Sequence, residues 1–74
     1  MSDRSFIQGR DAVAILQAAA ALGENITVRD FSKDVFLDVD AALRLAETKP
    51  GSIEVSVYPA NALRMLAALW RLRR

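Results

Sequence analysis

The chain contains neither cysteine nor histidine. Without cysteine it can form neither a disulfide nor a thiolate zinc site, and without histidine it lacks the commonest metal ligand and the usual proton shuttle near neutral pH. Its three glycines are isolated, so no glycine-rich loop is present to hold a phosphate. The carboxylates are spread over presumed solvent faces. We therefore expect no enzymatic activity, no cofactor, no metal and no small-molecule substrate.

Long apolar runs are also missing. No window approaches the roughly 20 uninterrupted apolar residues that span a bilayer, and the N-terminal sequence MSDRSFIQGRD lacks the apolar stretch of a signal peptide. The absence of cysteine is consistent with a reducing compartment. These features predict a cytoplasmic protein without a role at a membrane.

The 74 residues allow one domain at most. We expect a flexible lead-in over residues 1–8 and a single small domain over residues 9–74. A domain of this size buries only about 60% of the surface that its unfolded chain exposes, so an additional source of stability is usual. Because disulfides and metals are excluded, self-association is expected to supply it.

Charge is polarised along the chain although the formal net charge is only +1. Residues 24–54 carry seven carboxylates against four basic side chains, whereas residues 55–74 carry four arginines and no acid. The middle of the chain is therefore acidic and its C-terminal end is basic.

Apolar spacing and turn residues predict an α+β fold that is mainly α, with the element order α-β-α-α-β-α. Gly23 is placed to end the first helix, Asp38 or Asp40 to cap the third, and Pro59 to begin the last. The predicted elements are a helix over residues 10–23, a strand over 25–28, helices over 28–35 and 38–48, a strand over 52–58 and a helix over 59–74.

Residues 28–47, VRDFSKDVFLDVDAALRLAE, have the outline of a helix-turn-helix. Apolar residues fall where two crossed helices meet, at Phe31, Val35, Leu37 and Leu45. Together with the flanking helix and strands, this unit resembles the winged-helix family over about residues 10–58. The chain departs from that family in two ways: Phe36 stands where the turn usually has glycine, and only one clear strand follows the third helix, so the wing is incomplete.

The charge of the second helix in this unit argues against the usual function of the family. In its DNA-binding members this helix enters the major groove, and affinity rests largely on neutralising phosphates. Here three of the six outward positions are carboxylates and only one is an arginine, which suits a basic protein surface better. We therefore expect a protein-binding surface that contains Asp34, Asp38, Asp40, Arg44 and Glu47.

A DNA-binding regulator of helix-turn-helix type is the alternative. In that case dimerisation supplies a second half-site, and basic side chains contact the phosphates. The expected contacts are Arg29, Lys33, Arg44, Arg71, Arg73 and Arg74.

The last helix is apolar around most of its circumference, which is more than the stripe of about 100° that a surface helix needs. We therefore expect it to pack on its own domain with one side and on a second copy with the other. The dimer interface is predicted to contain Leu63, Met65, Leu66, Leu69 and Trp70. The sequence as a whole predicts a small, dimeric, non-enzymatic interaction module, such as a regulator, adaptor or inhibitor.

Overall fold

A computed structural model describes residues 4–72 as one compact α+β domain, mainly helical, with two layers. Three helices pack on one face of a four-stranded antiparallel sheet. Along the chain the elements are β1 (Ser5–Gln8), α1 (Gly9–Leu22), β2 (Thr27–Asp30), β3 (Val35–Leu37), α2 (Val39–Thr48), a 3-10 turn (Pro50–Ser52), β4 (Ile53–Val57) and α3 (Pro59–Leu72).

The strands lie in the order β1-β4-β2-β3, and every neighbouring pair is antiparallel. Side chains alternate between the two faces of the sheet. One face carries a transverse row of apolar residues, Ile7, Val55, Val28 and Leu37, that packs against the helices. No helix within residues 4–72 covers the opposite face.

The core between the layers is aliphatic and includes many alanines. Leu16 on α1 and Ile53 on β4 are completely buried. Three buried alanines, Ala12, Ala18 and Ala19, give α1 only small side chains where it faces its neighbours. Small side chains allow a helix to approach its neighbours closely, so α1 packs against both other helices and against β4. The predicted first helix is confirmed, and it ends at Gly23, whose φ of 71° is the left-handed geometry that glycine adopts without strain.

The helix predicted for residues 28–35 is wrong, because this segment forms a β-hairpin. Asp30 ends β2 and turns the chain: its Oδ1 accepts hydrogen bonds from the Ser32 hydroxyl (2.7 Å) and the Ser32 backbone N–H (3.0 Å). Asp34 then has a φ of 54°, which reverses the chain into β3. Aspartate and serine compete with helical hydrogen bonds in this way, and the apolar spacing alone did not reveal it.

The predicted element order is therefore corrected to β-α-β-β-α-β-α. Residues 28–47 contain one helix instead of two, so the helix-turn-helix on which the winged-helix resemblance rested is not confirmed. Residues 5–8, expected in a flexible lead-in, form the edge strand β1 and pair with β4. Of the rest of that lead-in, Arg4 is described and donates a hydrogen bond to the Ser56 carbonyl, whereas residues 1–3 lie outside the described part of the chain.

The later elements agree with the sequence. Asp38 rather than Asp40 caps α2, accepting a hydrogen bond of 2.7 Å from the backbone N–H of Ala41. β4 has the predicted alternation, with Ile53 and Val57 buried toward the helices, and Pro59 begins α3.

Asp30 also makes the stability of the hairpin depend on pH. Hydrogen bonds from the Ser32 hydroxyl, and then from the backbone N–H groups of Ser32 and Lys33, hold the pKa of this carboxyl below its ordinary 3.8, against the opposing effect of burial. Since the pKa is lower in the folded state, the carboxylate stabilises the fold above about pH 4, and this contribution is lost as the pH falls through the folded pKa.

We expect Asp30→Asn to weaken the acid dependence of stability, because asparagine can still accept the turn hydrogen bonds but cannot ionise. Thermal unfolding of wild type and variant, measured from about pH 5 to about pH 2, should show a smaller loss of melting temperature in the variant. Asp11→Asn, at an exposed position, is the control and should follow wild type. Equal slopes for wild type and Asp30→Asn would contradict this account.

Candidate functional site

The uncovered face of the sheet, here called the outer face, carries two transverse rows of side chains. The strand register places Gln8, Glu54, Arg29 and Phe36 side by side across all four strands. A second row crosses the first three strands beside it and consists of Phe6, Ser56 and Thr27.

A chain of charged groups occupies the middle of the outer face. Glu54 is only 6% exposed, and both of its carboxylate oxygens are engaged: Oε2 accepts a hydrogen bond from Gln8 Nε2 and Oε1 pairs with Arg29 Nη2, each at 2.7 Å. The other terminal nitrogen of Arg29, Nη1, lies 2.6 Å from Asp34 Oδ1. Burial opposes the charged form of Arg29, but the hydrogen bonds and charges of Asp34 and Glu54 outweigh it and raise its pKa.

Aromatic side chains surround this row of linked charged groups. All five aromatic residues of the protein lie outside the core, and four of them border the outer face: Phe6, Phe31, Phe36 and Tyr58. Phe6 and Phe36, on the two edge strands, are 69% and 73% exposed. Single exposed apolar side chains are common on protein surfaces, whereas exposed aromatic rings grouped on one face are characteristic of binding surfaces.

Two arginines contact these rings. The guanidinium carbon of Arg4 lies 5.4 Å from the centre of the Tyr58 ring, and that of Arg29 lies 5.9 Å from the centre of the Phe31 ring. Arg4 also donates a hydrogen bond of 2.8 Å from Nη2 to the Ser56 carbonyl. Both cations are therefore engaged within the protein's own surface.

A shallow cleft of about 540 Å³ lies between the two edge aromatics. Phe6 and Phe36 form its walls, and its floor consists of Thr27, Arg29, Glu54 and Ser56. The two hydroxyls and the neutralised ion pair make the floor polar but uncharged overall. Such a cleft can take an apolar side chain between the rings, and on its floor the Nε of Arg29 has no hydrogen-bond partner within residues 4–72.

The acidic surface expected from the sequence is divided between two places. Asp40, Arg44 and Glu47 share the exposed side of α2, at intervals of four and three residues. Asp38 begins the same helix as its cap. Asp34 lies at the other end of β3, about 13 Å from Asp38 along the strand, and pairs with Arg29.

The side chains expected to contact DNA are not brought onto one surface. Arg29 is held by two carboxylates on the outer face, Lys33 lies in the hairpin turn, Arg44 is on α2 and Arg71 is near the end of α3. The other two, Arg73 and Arg74, lie outside the described residues.

The residues expected at a dimer interface are also divided. Met65 is 1% exposed and packs in the protein's own core, so its assignment to the interface is wrong. Leu66 and Leu69 are half-buried beside the core. Leu63 and Trp70 are largely exposed, as the prediction requires.

Sequence reasoning missed the outer face itself. Phe6 was assigned to the lead-in and Phe36 to a turn, so neither was considered for binding. No alternation signal was available for β1, because Ser5, Phe6, Ile7 and Gln8 read polar, apolar, apolar and polar, which is not the pattern of a strand with one apolar face.

Comparison of the chain with known protein families, with curated proteins and with solved structures finds no match. Within residues 4–72, none of the helices combines the length and apolarity needed to cross a bilayer. The same part of the chain contains no cluster of three or more carboxylates that could hold a metal ion.

Proposed function

We propose that this protein is a non-enzymatic interaction module that binds a partner protein on the outer face of its sheet. The observation that carries the proposal is the grouping of four exposed aromatic side chains on the outer face, two of which, Phe6 and Phe36, line a cleft that nothing in residues 4–72 covers. The partner is expected to have an apolar centre that covers Phe6 and Phe36, and a basic rim.

Apolar burial would supply most of the binding free energy. Phe6 and Phe36 are each about 70% exposed, and covering a phenylalanine side chain contributes about 2 kcal/mol. Aromatic residues beside arginine are also the types that dominate protein interfaces energetically. The central ion pair would stay paired when the partner binds, so no isolated charge would have to lose its water.

The charges of the outer face favour a protein over a nucleic acid. Arg4 and Arg29 are balanced by Glu54 and Asp34, and both cations are already engaged. Phosphate binding depends on cations that are free to replace counterions.

Two of the acidic side chains lie at the rim of the same surface, since Asp34 and Asp38 are at the two ends of β3, the edge strand that carries Phe36. Asp40 and Glu47 are on the exposed side of α2, which belongs to the helical layer on the other face of the sheet. Exposed charges of one sign at a rim increase the rate of association with an oppositely charged partner more than they increase affinity. A partner with a basic surface is therefore part of this proposal.

The cytoplasmic location expected from the sequence stays a prediction.

Capture experiments with paired variants test the proposal. The immobilised chain is incubated with an extract of its host, and wild type is compared with the double variant Phe6→Ser/Phe36→Ser. We expect the variant to capture at most about one tenth as much of the partner protein as wild type does, because two central aromatic contacts are removed. Circular dichroism must show that both chains are folded.

The matched control is Leu63→Ser/Leu72→Ser, which removes two exposed apolar side chains from α3 instead. It should capture the same protein as wild type. If the two double variants behave alike, the outer face is not the binding surface.

The DNA-binding alternative makes a different prediction. It requires retention of the chain on random DNA at low salt that disappears at moderate salt, since phosphate contacts are salt-dependent. Absence of retention at low salt would remove this alternative.

A further inference from the structure

We infer that two copies of this chain associate through α3, with Trp70 of each copy inserted into an apolar groove of the other. The contact lies on the helical layer, so it leaves the outer face of the sheet free. It therefore does not depend on the partner-binding function proposed above.

The exposed side of α3 carries an uncharged stripe. Pro59, Leu63, Leu66 and Trp70 are spaced by four, three and four residues, and at 3.6 residues per turn they fall within an arc of about 60°. Leu63 is 70% exposed and Trp70 is 73% exposed. The neighbouring side of the helix, with Ala62 and Met65, is already packed in the core, and Leu66 at the border of the stripe is half-buried against it. Leu63 and Trp70 thus form an apolar edge that the domain itself leaves exposed.

A groove of about 430 Å³ lies beside the first half of this stripe. Its lining is almost entirely apolar, with Asp11 as the single charged residue. The walls come from β1, α1 and the beginning of α3, and include Ile7, Ala14, Ile15, Pro59, Leu63 and Leu66. Alanine on α1 and proline on α3 leave this space unfilled.

The groove and Trp70 are placed for mutual insertion. In an antiparallel pair of α3 helices related by a twofold axis between positions 63 and 66, Leu63 faces Leu66 of the second copy. Trp70 then faces Pro59 of the second copy, which is the groove end of the helix. The same twofold operation inserts Trp70 of the second copy into the groove of the first, because Trp70 and the groove lie about 16 Å apart along the same helix. A surface with this property is complementary to itself.

The available area indicates a weak dimer. A specific interface needs at least about 1,000 Å² in total, or about 500 Å² per copy, which is about a tenth of the accessible surface of 5175 Å² here. Trp70, of which 73% is exposed, can supply on the order of 150 Å² of this, and Leu63 and the groove must supply the rest, so the interface is at most close to that minimum. We therefore expect dissociation in the micromolar range.

The chain is well suited to a direct test, because Trp70 is its single tryptophan. Sedimentation velocity and tryptophan fluorescence are measured over a range of about 5–500 µM, which brackets a micromolar dissociation constant. We expect a monomer–dimer equilibrium, with the emission maximum moving to shorter wavelength as dimer forms. A chain that stays monomeric throughout, or a dimer whose emission does not move, would overturn the inference.

Variants locate the contact. Trp70→Ala and the groove-filling Ala14→Gln should each raise the dissociation constant at least tenfold, whereas Leu72→Ala, exposed on another side of α3, should not change it. Because the chain has no cysteine, Leu63→Cys and Leu66→Cys chains can also be mixed and oxidised. A disulfide between the two different chains supports the antiparallel arrangement, while disulfides only between like chains would overturn it. The Phe6→Ser/Phe36→Ser variant should still dimerise, which separates this inference from the proposed function.

Discussion

Leu16→Ala is expected to remove most of the stability of the domain. Leu16 is fully buried on α1 and is the largest side chain at the centre of the aliphatic core. A buried leucine truncated to alanine costs about 3–5 kcal/mol, because the apolar contacts are lost and a cavity remains. A domain of 74 residues has a total unfolding free energy of only about 4–11 kcal/mol. Urea unfolding followed by far-ultraviolet circular dichroism should therefore show a large fall in midpoint or an unfolded chain in buffer.

Leu63→Ala is the matched control for this substitution. It makes the same chemical change at a position that is largely exposed on α3. Its effect should stay within about 0.5 kcal/mol, as for surface substitutions in general. Comparable losses at the two positions would show that Leu16 is not at the centre of the core.

Glu54→Ala is expected to produce the second largest loss. Glu54 is buried in the middle of the outer face and accepts from both Gln8 and Arg29. Removing one member of a buried ion pair costs about 3–5 kcal/mol when the other charge is fully buried. We expect about 2 kcal/mol here, because the guanidinium of Arg29 keeps contact with solvent and with Asp34. Urea unfolding at neutral pH measures the difference.

Glu24→Ala provides the comparison for Glu54→Ala. Glu24 also pairs with an arginine, Arg64, at 2.7 Å, but both side chains of that pair are substantially exposed. Exposed pairs contribute at most about 1 kcal/mol and often much less. Equal effects of the two substitutions would mean that burial of Glu54 adds nothing to the strength of its pair.

Glu54→Ala should also change what the outer face attracts. The substitution removes one negative charge and leaves Arg29 paired only with Asp34, so the middle of the face becomes less negative and Nη2 of Arg29 loses its partner. We expect the variant to gain some salt-sensitive retention on random DNA relative to wild type, since this nitrogen becomes available to a phosphate.

Local patterns were sufficient for the elements whose signals do not conflict. The alanine-rich first helix, the strand that contains Ile53 and the helix that begins at Pro59 all follow from propensity, alternation and capping residues. Residues 28–35 carried two signals at once. The spacing of Val28, Phe31 and Val35 fits a helix, whereas Asp30 and Ser32 favour a turn, and the turn prevailed because β2 can pair with β4.

The candidate site could not be read from local patterns at all. Gln8 and Glu54 are 46 positions apart in the chain and meet only because β4 lies between β1 and β2. The order of strands in a sheet is set by how the whole chain packs, and no window of neighbouring residues contains it. Even the exposure of Phe36 follows from strand order, since β3 is an edge strand.

The late position of β4 in the chain bears on how the protein is made. This strand lies in the interior of the sheet and pairs on both sides, yet it begins only at Ile53. Until β4 has left the ribosome, β1 has no strand to pair with. Of the strand pairs in the finished sheet, only the β2–β3 hairpin can form before that point. Non-local pairing of this kind delays folding, because the entropy of closing a long loop is lost before the contacts form. The core side chains of α1 that pack on β4 thus stay uncovered by this strand until β4 has been synthesised.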